Sequence, residues 1–512
     1  MHDTIAADSI ERVRAWIVGS LLVTCLGVAV GCSEQKRTVW LPQNLVLANV
    51  TVVDTRTGAL ARDMTIVVEH GTITRVASAA SVSANASAAP IDGGGRFVVP
   101  GYNDMHSHAL QTDPQRSLTL MLAHGITGFR QMAGTPDLLE RRKRGEPWSD
   151  ADAPELLAMP GLPLVPPIAR SPEAVIAEIH EQQALGADFI KVVSLERDAF
   201  LAALAEAKRV GLPFVGHLAP TVSASEAASG GMRSIEHLGP GISLLLSCSS
   251  DETALRQAID RSPPAGLPKL PAFLVKLALP LLNRFIEKLV TNPILLSDPE
   301  QFASMRRVVD TYSEEKCAQL AELLAHGEVW QVPTLIRIQT MKSGGDPAHL
   351  DDPNLRFVPP ATREFWGEVA EQVREKVSPA DLETLERLFA LQLGLVALFD
   401  RAGVKMLAGD DMGGAQWIVP GIGLHQEFDL LEAAGIAPLR VLQMTTLDGA
   451  VFVGREASMG TVEVGRDANL VLLDANPIES VQNLHGIHAV IRDGRYYSRA
   501  DLDELNETSA RH

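Results

Sequence analysis

The feature that most restricts the fold is a regular alternation of short apolar segments and helical segments between residues 171 and 407. Ser171 and Pro172 are typical of the start of a helix, which is expected to end near Gly186. An apolar strand follows at 188–193, and the same helix-then-strand pattern recurs downstream. Strands that alternate with helices of this length predict a parallel sheet with helices packed against it.

The two ends of the chain have a different character, since both consist of β-branched and apolar segments broken by turns. Residues 65–68 and 72–76 flank Glu69-His70-Gly71, a sequence typical of a tight hairpin. Residues 468–473 and 489–491 have the same apolar pattern near the other end. We therefore expect one small β domain built from both termini.

The N-terminal segment resembles a bacterial lipoprotein signal. Arg12 and Arg14 precede an apolar run that ends in small residues directly before Cys32. A basic start, an apolar core and small residues before the cut are typical of a secretory signal. The resemblance implies removal of residues 1–31, lipidation of Cys32 and a lipid-anchored protein on the periplasmic side of a membrane. A plain N-terminal membrane anchor with unmodified Cys32 is the alternative.

The net charge bears on the partners of the protein, and the cysteine content allows one disulfide bond. The net charge of −18 disfavours nucleic acid as a partner, because phosphate binding needs clustered Lys and Arg. The basic run at 141–144 is short and typical of a solvated helix face. Outside the cytoplasm, Cys248 and Cys317 either form a disulfide or remain two buried thiols.

Three residues in expected strands are candidates for metal chemistry. His106 and His108 occupy alternate strand positions, so both imidazoles point to the same face and can reach one ion. Lys191 lies inside an apolar strand, where a bare ammonium group is costly. It is either a snorkelling or paired lysine, or a desolvated amine of lowered pKa that reacts with CO₂ to form a carbamate.

Three further candidates follow expected strands. His217 and His237 each end a short strand, and Asp411 follows the apolar segment 404–407. Successive strand ends meet at one mouth of a parallel barrel, so these side chains are expected around one site. A carboxylate there can be both metal ligand and general base. His425 is expected beyond the last strand, outside the ligand set, with an approach to the mouth as the alternative.

The order His-x-His, Lys, His, His, Asp resembles the binuclear branch of the amidohydrolase superfamily. The surrounding sequence is similar to its prolidase-like and imidazolonepropionase-like members. The similarity extends over about 45–500, and the segments that carry it are Pro100-Gly101, Gly186-Ala187-Asp188-Phe189-Ile190-Lys191, Ser234-Ile235-Glu236-His237, Ala408-Gly409 and 460–470. Asp410 stands where the family usually has Thr, and Gln131 where many relatives have Asp.

The resemblance implies a ligand set for two divalent metal ions. His106, His108 and Asp411 would bind the first ion, and His217 and His237 the second. A Lys191 carbamate, formed from CO₂, would bridge the two. Nitrogen and oxygen ligands without thiolates favour zinc, with manganese, cobalt or iron as alternatives.

The resemblance also implies a fold and its division into domains. The expected fold class is α/β, a (β/α)₈ TIM-type barrel with a small β-sandwich domain. The expected segments are a barrel at 100–454, a composite sandwich at 45–99 plus 455–500, and helical insertions at about 241–328 and 338–395. Part of the first insertion is expected to be an amphipathic cover over the barrel, with a substrate lid or a membrane-contacting patch as alternatives.

The activity implied is that of an amidohydrolase. A metal-bridging hydroxide would attack the carbonyl of an amide or peptide-like C–N bond in a small substrate such as a dipeptide, with Asp411 as general base. The alternatives are a lactonase or phosphotriesterase on the same site, a mononuclear deaminase and a catalytically inactive surface binding lipoprotein. Lys191 argues against the deaminase, and the complete ligand set argues against the inactive protein.

Overall fold

The structure is a computed structural model. It describes residues 44–78, 90–149, 153–166, 168–169, 171–261 and 287–511. The predicted signal segment 1–31, Cys32 and most of the expected amphipathic cover lie outside these residues. Among the helices of the described part, none is both long and apolar enough to cross a membrane.

Both ends of the chain contribute to one eight-stranded sheet. Its strands are β1 (Leu45–Val53), β2 (Leu60–Glu69), β3 (Thr72–Ser78), β4 (Ile91–Asp92), β5 (Phe97–Pro100), β13 (Leu470–Leu473), β14 (Ile487–Arg492) and β15 (Arg495–Tyr497). These strands form one hydrogen-bonded sheet, and the predicted β-sandwich stays a prediction. Because β5 pairs in parallel with β1 and antiparallel with β13, the two ends of the chain merge into one sheet.

The two faces of this sheet pack against different cores. Side chains alternate between faces along a strand, so the side chains of neighbouring residues lie on opposite faces of the sheet. Val98 and Leu472 belong to a cluster formed mainly by the sheet, whereas Val99 and Leu473 belong to the large central core. One face of the terminal sheet therefore packs against the core formed by the middle of the chain.

The middle of the chain forms two parallel sheets. The strands of the first are β6 (Tyr102–Ser107), β7 (Ile126–Gln131) and β8 (Glu155–Ala158), and those of the second are β9 (Ile190–Val192), β10 (Phe214–Gly216), β11 (Met232–Glu236) and β12 (Trp330–Val332). Their order along the chain is the order of the predicted barrel strands.

Continuous strand pairing does not close the predicted barrel within the described residues. The apolar segment 404–407, expected as the last barrel strand, lies between the two sheets. Next to it, Met105 N donates to Ala408 O, and Leu407 N donates to Gln331 O, both at 2.9 Å. The segment forms an isolated parallel bridge to β12, and another isolated bridge lies beside β9. These contacts involve too few residues to count as strands, yet they align the carboxyl ends of both sheets.

Helices follow most of these strands. The α-helices are α1 (Pro114–Ala123), α2 (Pro136–Lys143), α3 (Pro172–Ala184), α4 (Arg197–Val210), α5 (Ala224–Gly230), α6 (Ser243–Cys248), α7 (Glu252–Arg261), α8 (Pro299–Asp310), α9 (Glu314–His326), α10 (Leu335–Lys342), α11 (Pro360–Lys376), α12 (Pro379–Arg401), α13 (Ile422–Ala433), α14 (Pro438–Thr445), α15 (Leu447–Phe452) and α16 (Arg499–Arg511). Short 3₁₀ helices occupy Ala109–Gln111, Pro293–Leu296, Pro347–Asp351, Pro353–Phe357 and Val481–Leu484.

Local sequence signals explain where several elements begin and end. The Ser171 side chain accepts a hydrogen bond from Ala174 N at the start of α3, and Gly211 ends α4 in a left-handed conformation. In the segment predicted as the first insertion, Cys248 of α6 and Cys317 of α9 form a disulfide, with Cα atoms 4.6 Å apart. The bond ties this insertion together over a separation of 69 residues.

Candidate metal centre

The predicted ligands lie at the carboxyl ends of the parallel strands. His106 is the penultimate residue of β6, and Lys191 is the middle residue of β9. His217 and His237 directly follow β10 and β11. Parallel strands therefore bring residues that are far apart in the chain to one side of the protein.

Asp411 is in contact with three of the predicted histidines. Its Oδ1 lies 3.2 Å from His106 Nε2 and 3.2 Å from His108 Nε2, and its Oδ2 lies 3.9 Å from His237 Nε2. Ligand atoms of His106, His237 and Asp411 all lie within 4.8 Å of one another, a spacing that suits a metal ion. Four of the six candidates thus form a continuous cluster.

The other two candidates border this cluster. The His217 ring lies edge-on to that of His237, with centroids 5.1 Å apart. Lys191 is buried, and its charge acts on His106, His217 and His237. Lys191 Nζ has no hydrogen-bond partner among the described residues.

Other side chains orient the histidine rings. In three of them the nitrogen that does not face Asp411 has a side-chain partner. The pairs are His106 Nδ1 with Glu236 Oε2 (2.7 Å), His108 Nδ1 with Gln111 Oε1 (2.7 Å) and His237 Nδ1 with Thr334 Oγ1. Such partners fix the ring orientation and tautomer of metal-binding histidines.

Among these partners, Glu236 is itself held by several hydrogen bonds. Arg130 donates to both of its carboxylate oxygens, at 3.0 and 3.1 Å, and Ser234 Oγ donates to Oε1 at 2.6 Å. Burial alone raises the pKa of Glu236, but Arg130 and His106 hold it well below its ordinary value. An ionised, fully buried carboxylate therefore holds the His106 ring in place.

The electrostatics of the cluster favour neutral imidazoles around an ionised carboxylate. Burial lowers the pKa of His217 and His237 well below the ordinary value, and burial together with the charge of Lys191 lowers that of His106. Burial raises the pKa of Asp411, but His237 and His106 hold it well below its usual range. Neutral imidazole and ionised carboxylate are the metal-binding forms of these groups.

Lys191 also fits a metal centre better than it fits an ordinary core. Burial lowers its pKa to about 8, although Glu236 and Asp411 partly oppose the shift. A substantial fraction of the amine is therefore neutral near physiological pH. The unpartnered amine, beside neutral histidines and an ionised aspartate, is a donor set that fits divalent metal ions.

The backbone at the strand ends has an unusual conformation. His237, Thr334 and Asp411 have positive φ angles of 57°, 44° and 60°, which are uncommon for residues other than glycine. Gly409 permits the close approach of its segment to β6, because a Cβ there would lie 2.6 Å from His106 N. Strained backbone of this kind is concentrated at functional sites.

Sequence reasoning missed several residues of this site. Arg337 Nε lies 3.1 Å from Asp411 Oδ2, although nothing in its sequence context distinguishes it from an exposed helical arginine. Arg130 directly precedes Gln131, and Glu236 directly precedes His237, but neither residue is assigned a role of its own from the sequence. Glu236 directly precedes a candidate histidine, which is the one signal that could have identified it.

Two other acidic or histidine residues lie away from the cluster. Asp410 accepts a hydrogen bond from Met412 N at 2.8 Å and is fully buried on the other side of the strand end. The alternative in which His425 approaches the mouth is wrong. His425 donates to His124 O at 2.9 Å and packs against Tyr102, at the opposite end of β6.

Sequence comparison connects the C-terminal part of the chain with a known family. Residues 395–496, which include Asp411, match the model of the amidohydrolase family. No protein of curated function matches the chain in sequence.

Comparison with solved structures covers most of the chain. A bottromycin amidohydrolase is 21% identical with a TM-score of 0.64, and the match covers 93% of this chain and 91% of that one. A structure described as a putative prolidase from Bifidobacterium longum is 20% identical with a TM-score of 0.56 (92% and 99% covered). A Xaa-Pro dipeptidase with bound methionine is 16% identical with a TM-score of 0.55 (89% and 100% covered). The shared fold is α/β and of the TIM-barrel type.

Proposed function

We propose that the chain is a member of the amidohydrolase superfamily and a metal-dependent hydrolase of an amide or peptide-like C–N bond in a small substrate. The match of residues 395–496 to the amidohydrolase family supports this assignment, as does the fold shared with a bottromycin amidohydrolase. The observation that carries the proposal is the contact of ionised Asp411 with three histidines at the strand ends. The prolidase and the Xaa-Pro dipeptidase of similar fold make dipeptides the first substrates to test.

The donor set suits two divalent metal ions, zinc being the expected one. The ligands would be His106, His108 and Asp411 for one ion, His217 and His237 for the other, and a Lys191 carbamate between them. When bound, such ions polarise the substrate carbonyl and lower the pKa of a coordinated water. The neutral rings and the partly neutral Lys191 amine support this assignment.

Asp411 has the position and charge of a general base. It takes a proton from the attacking water as the new C–O bond forms, and it delivers the proton to the leaving nitrogen as the C–N bond breaks. The products are a carboxylic acid and an amine. Arg130, through Glu236, keeps the His106 ring in the orientation that this step needs.

The alternatives fit the site less well. A mononuclear deaminase does not account for the unpartnered, buried Lys191 amine. An inactive binding protein does not account for the strained strand ends and the supported histidines. A lactonase or phosphotriesterase would use the same groups, so it is distinguished by substrate.

The proposal is tested by metal analysis followed by a substrate screen. We expect about two metal ions per chain after purification with zinc and bicarbonate, and hydrolysis of dipeptides or N-acyl amino acids. Folded protein without bound metal would contradict the metal-dependent mechanism. If only lactones or phosphotriesters are hydrolysed, the metal site is supported, but the amidase activity is contradicted.

Lys191→Ala tests the bridging role. We expect loss of metal and activity, with partial rescue of both by short carboxylic acids that replace the carbamate. Lys208→Ala, which removes an exposed lysine of α4, is the matched control. Full metal content in Lys191→Ala would show that no carbamate is needed.

A further inference from the structure

Arg130 is a buried cation whose hydrogen bonds leave one nitrogen unpaired. Its side chain is fully buried, Nε donates to Met105 O at 2.6 Å, and Nη2 donates to both carboxylate oxygens of Glu236. Nη1 has no hydrogen-bond partner among the described residues. A guanidinium carries five N–H donors, and a buried donor without a partner is costly. Something other than a hydrogen bond must therefore stabilise part of this guanidinium.

Two aromatic rings lie against the same guanidinium. Its central carbon is 4.8 Å from the ring centroid of Phe452 and 5.7 Å from that of Phe189. A guanidinium within about 6 Å of a ring centroid is attracted by the negative face of the ring, and the attraction is stronger where water is excluded. The shorter contact is with Phe452, the last residue of α15. The Phe452 ring therefore supplies stabilisation that Nη1 does not obtain from a hydrogen bond.

Phe452 approaches Arg130 from the amino ends of the parallel strands. Its ring lies edge-on to that of Trp330, with centroids 5.4 Å apart, and its centroid is 5.2 Å from the guanidinium carbon of Arg233. Trp330 is the first residue of β12, and Arg233 is the second residue of β11. The candidate metal ligands lie at the other ends of these strands. Any effect of Phe452 on the metal centre must therefore pass through Arg130.

A continuous line of contacts leads from this ring to a candidate metal ligand. Arg130 holds Glu236, whose Oε2 lies 2.7 Å from His106 Nδ1, and His106 Nε2 faces Asp411. Without the ring, the Arg130 guanidinium would lose its contact on one side and would shift toward another partner or toward water. Such a shift withdraws the two hydrogen bonds that hold Glu236, and the His106 ring then gains freedom.

We propose that Phe452 is a positioning residue of the metal centre, whose ring holds the Arg130 guanidinium against Glu236 and so keeps the His106 imidazole in the orientation that binds metal. This inference rests on the proposed function, in which His106 is a metal ligand. The face of the ring carries the effect, because it is the face that attracts the cation. Loss of that face weakens metal binding and the chemical step, and it leaves substrate binding nearly unchanged.

Fluorination of the ring tests this role, since each added fluorine weakens the negative ring face while the shape of the side chain changes little. Phenylalanine with one, two or three ring fluorines is incorporated at position 452. Zinc affinity, measured by competition with a chelator, should fall stepwise by about 10-fold or more in total. On the metal-loaded enzyme kcat should fall in the same order while KM stays near the wild-type value. Phe452→Leu should resemble the trifluorinated protein.

Phe389 of α12 provides the matched control. Its ring centroid lies 5.3 Å from Nζ of Lys342, the last residue of α10, so it is also in contact with a cation. The same fluorinated residues at position 389 should leave zinc affinity unchanged. If both positions respond equally, the effect is not specific to Arg130 and the proposal is wrong. If Phe452→Leu lowers zinc affinity but the fluorinated series does not, Phe452 acts only through its bulk, and the proposal is again wrong.

A measurement without metal separates this inference from the proposed function. The proton between His106 Nδ1 and Glu236 should give a downfield NMR resonance in the metal-free protein, assigned by its loss in Glu236→Gln. We expect fluorination at position 452 to shift this resonance or to speed its exchange with water, and an unchanged resonance across the series overturns the role of Phe452. If the wild type binds no metal, the proposed function fails, and this resonance then decides the positioning role. If Phe452→Leu does not fold, the fluorinated series decides.

Discussion

Asp410 and Asp411 are neighbours in the chain with opposite surroundings. Asp411 contacts three histidines and Arg337, whereas burial and the charge of Asp104 raise the pKa of Asp410 well above its ordinary value. The surroundings of Asp410 therefore favour its neutral form, for which Asn is a close substitute. Because the two residues are adjacent, Asp410→Asn and Asp411→Asn make the same chemical change on opposite sides of the strand end.

We expect Asp411→Asn to lower kcat by about 10²–10⁴-fold, the usual contribution of a general base, because Asn cannot accept the proton. Most of the metal should remain, since the histidines and Lys191 are unchanged. Asp410→Asn should cost much less. Steady-state kinetics with metal analysis on both variants check this. An inactive Asp410→Asn beside a nearly normal Asp411→Asn would reverse the assignment of the two roles.

At the scale of elements, α13 supports the start of α10 through one buried acid. Glu427 Oε2 accepts a hydrogen bond from Ile336 N at 2.8 Å, next to Arg337. Burial raises the pKa of Glu427 to about 8, from an ordinary value of 4.5, and the charge of Asp104 adds to the shift. The folded protein therefore holds a proton on Glu427 that the unfolded chain releases above about pH 4.5.

This shift predicts a pH dependence of stability with a definite sign. Between about pH 4.5 and 8 the folded state binds more protons, so the free energy of unfolding should fall as the pH rises. Glu427→Gln keeps the acceptor without the charge. We expect it to remove at least roughly 1 kcal/mol of the difference between pH 5 and pH 8, measured by denaturant unfolding.

The comparison between the variant and the wild type isolates Glu427 from other buried acids. Asp104 and Asp410 also have raised pKa values, and their contributions are present in both proteins. Identical pH profiles for the two proteins would mean that Glu427 is ionised in the folded state.

At the scale of the whole molecule, export and lipid anchoring remain our proposal from the N-terminal sequence. We expect Cys32→Ala to move the protein from the membrane fraction to the soluble fraction, because lipid on Cys32 would be the anchor. Cys25→Ala, within the same apolar run, is the matched control and should stay with the membrane. Cell fractionation with immunoblotting measures both, and unchanged partition of Cys32→Ala would assign the attachment to another segment.

The sequence by itself determined the features that depend on local patterns. The helix start at Ser171 and the helix end near Gly186 follow from local hydrogen bonding and backbone freedom, and the structure confirms both. The candidate ligands stand out in the sequence because each lies within or shortly after an apolar strand, and parallel strands align their carboxyl ends. His106 and Asp411 are therefore close although 305 positions apart.

Only the tertiary structure decided what depends on contacts between distant segments. Three features have no local signature: the pairing of Cys248 with Cys317, the position of β5 between β1 and β13, and the ion pair of Arg130 with Glu236. Arg337 is the clearest case. Its burial beside Asp411 depends on how the insertion, β12 and the segment after residue 408 pack together, because a side chain's partners are set by packing and not by its neighbours in sequence.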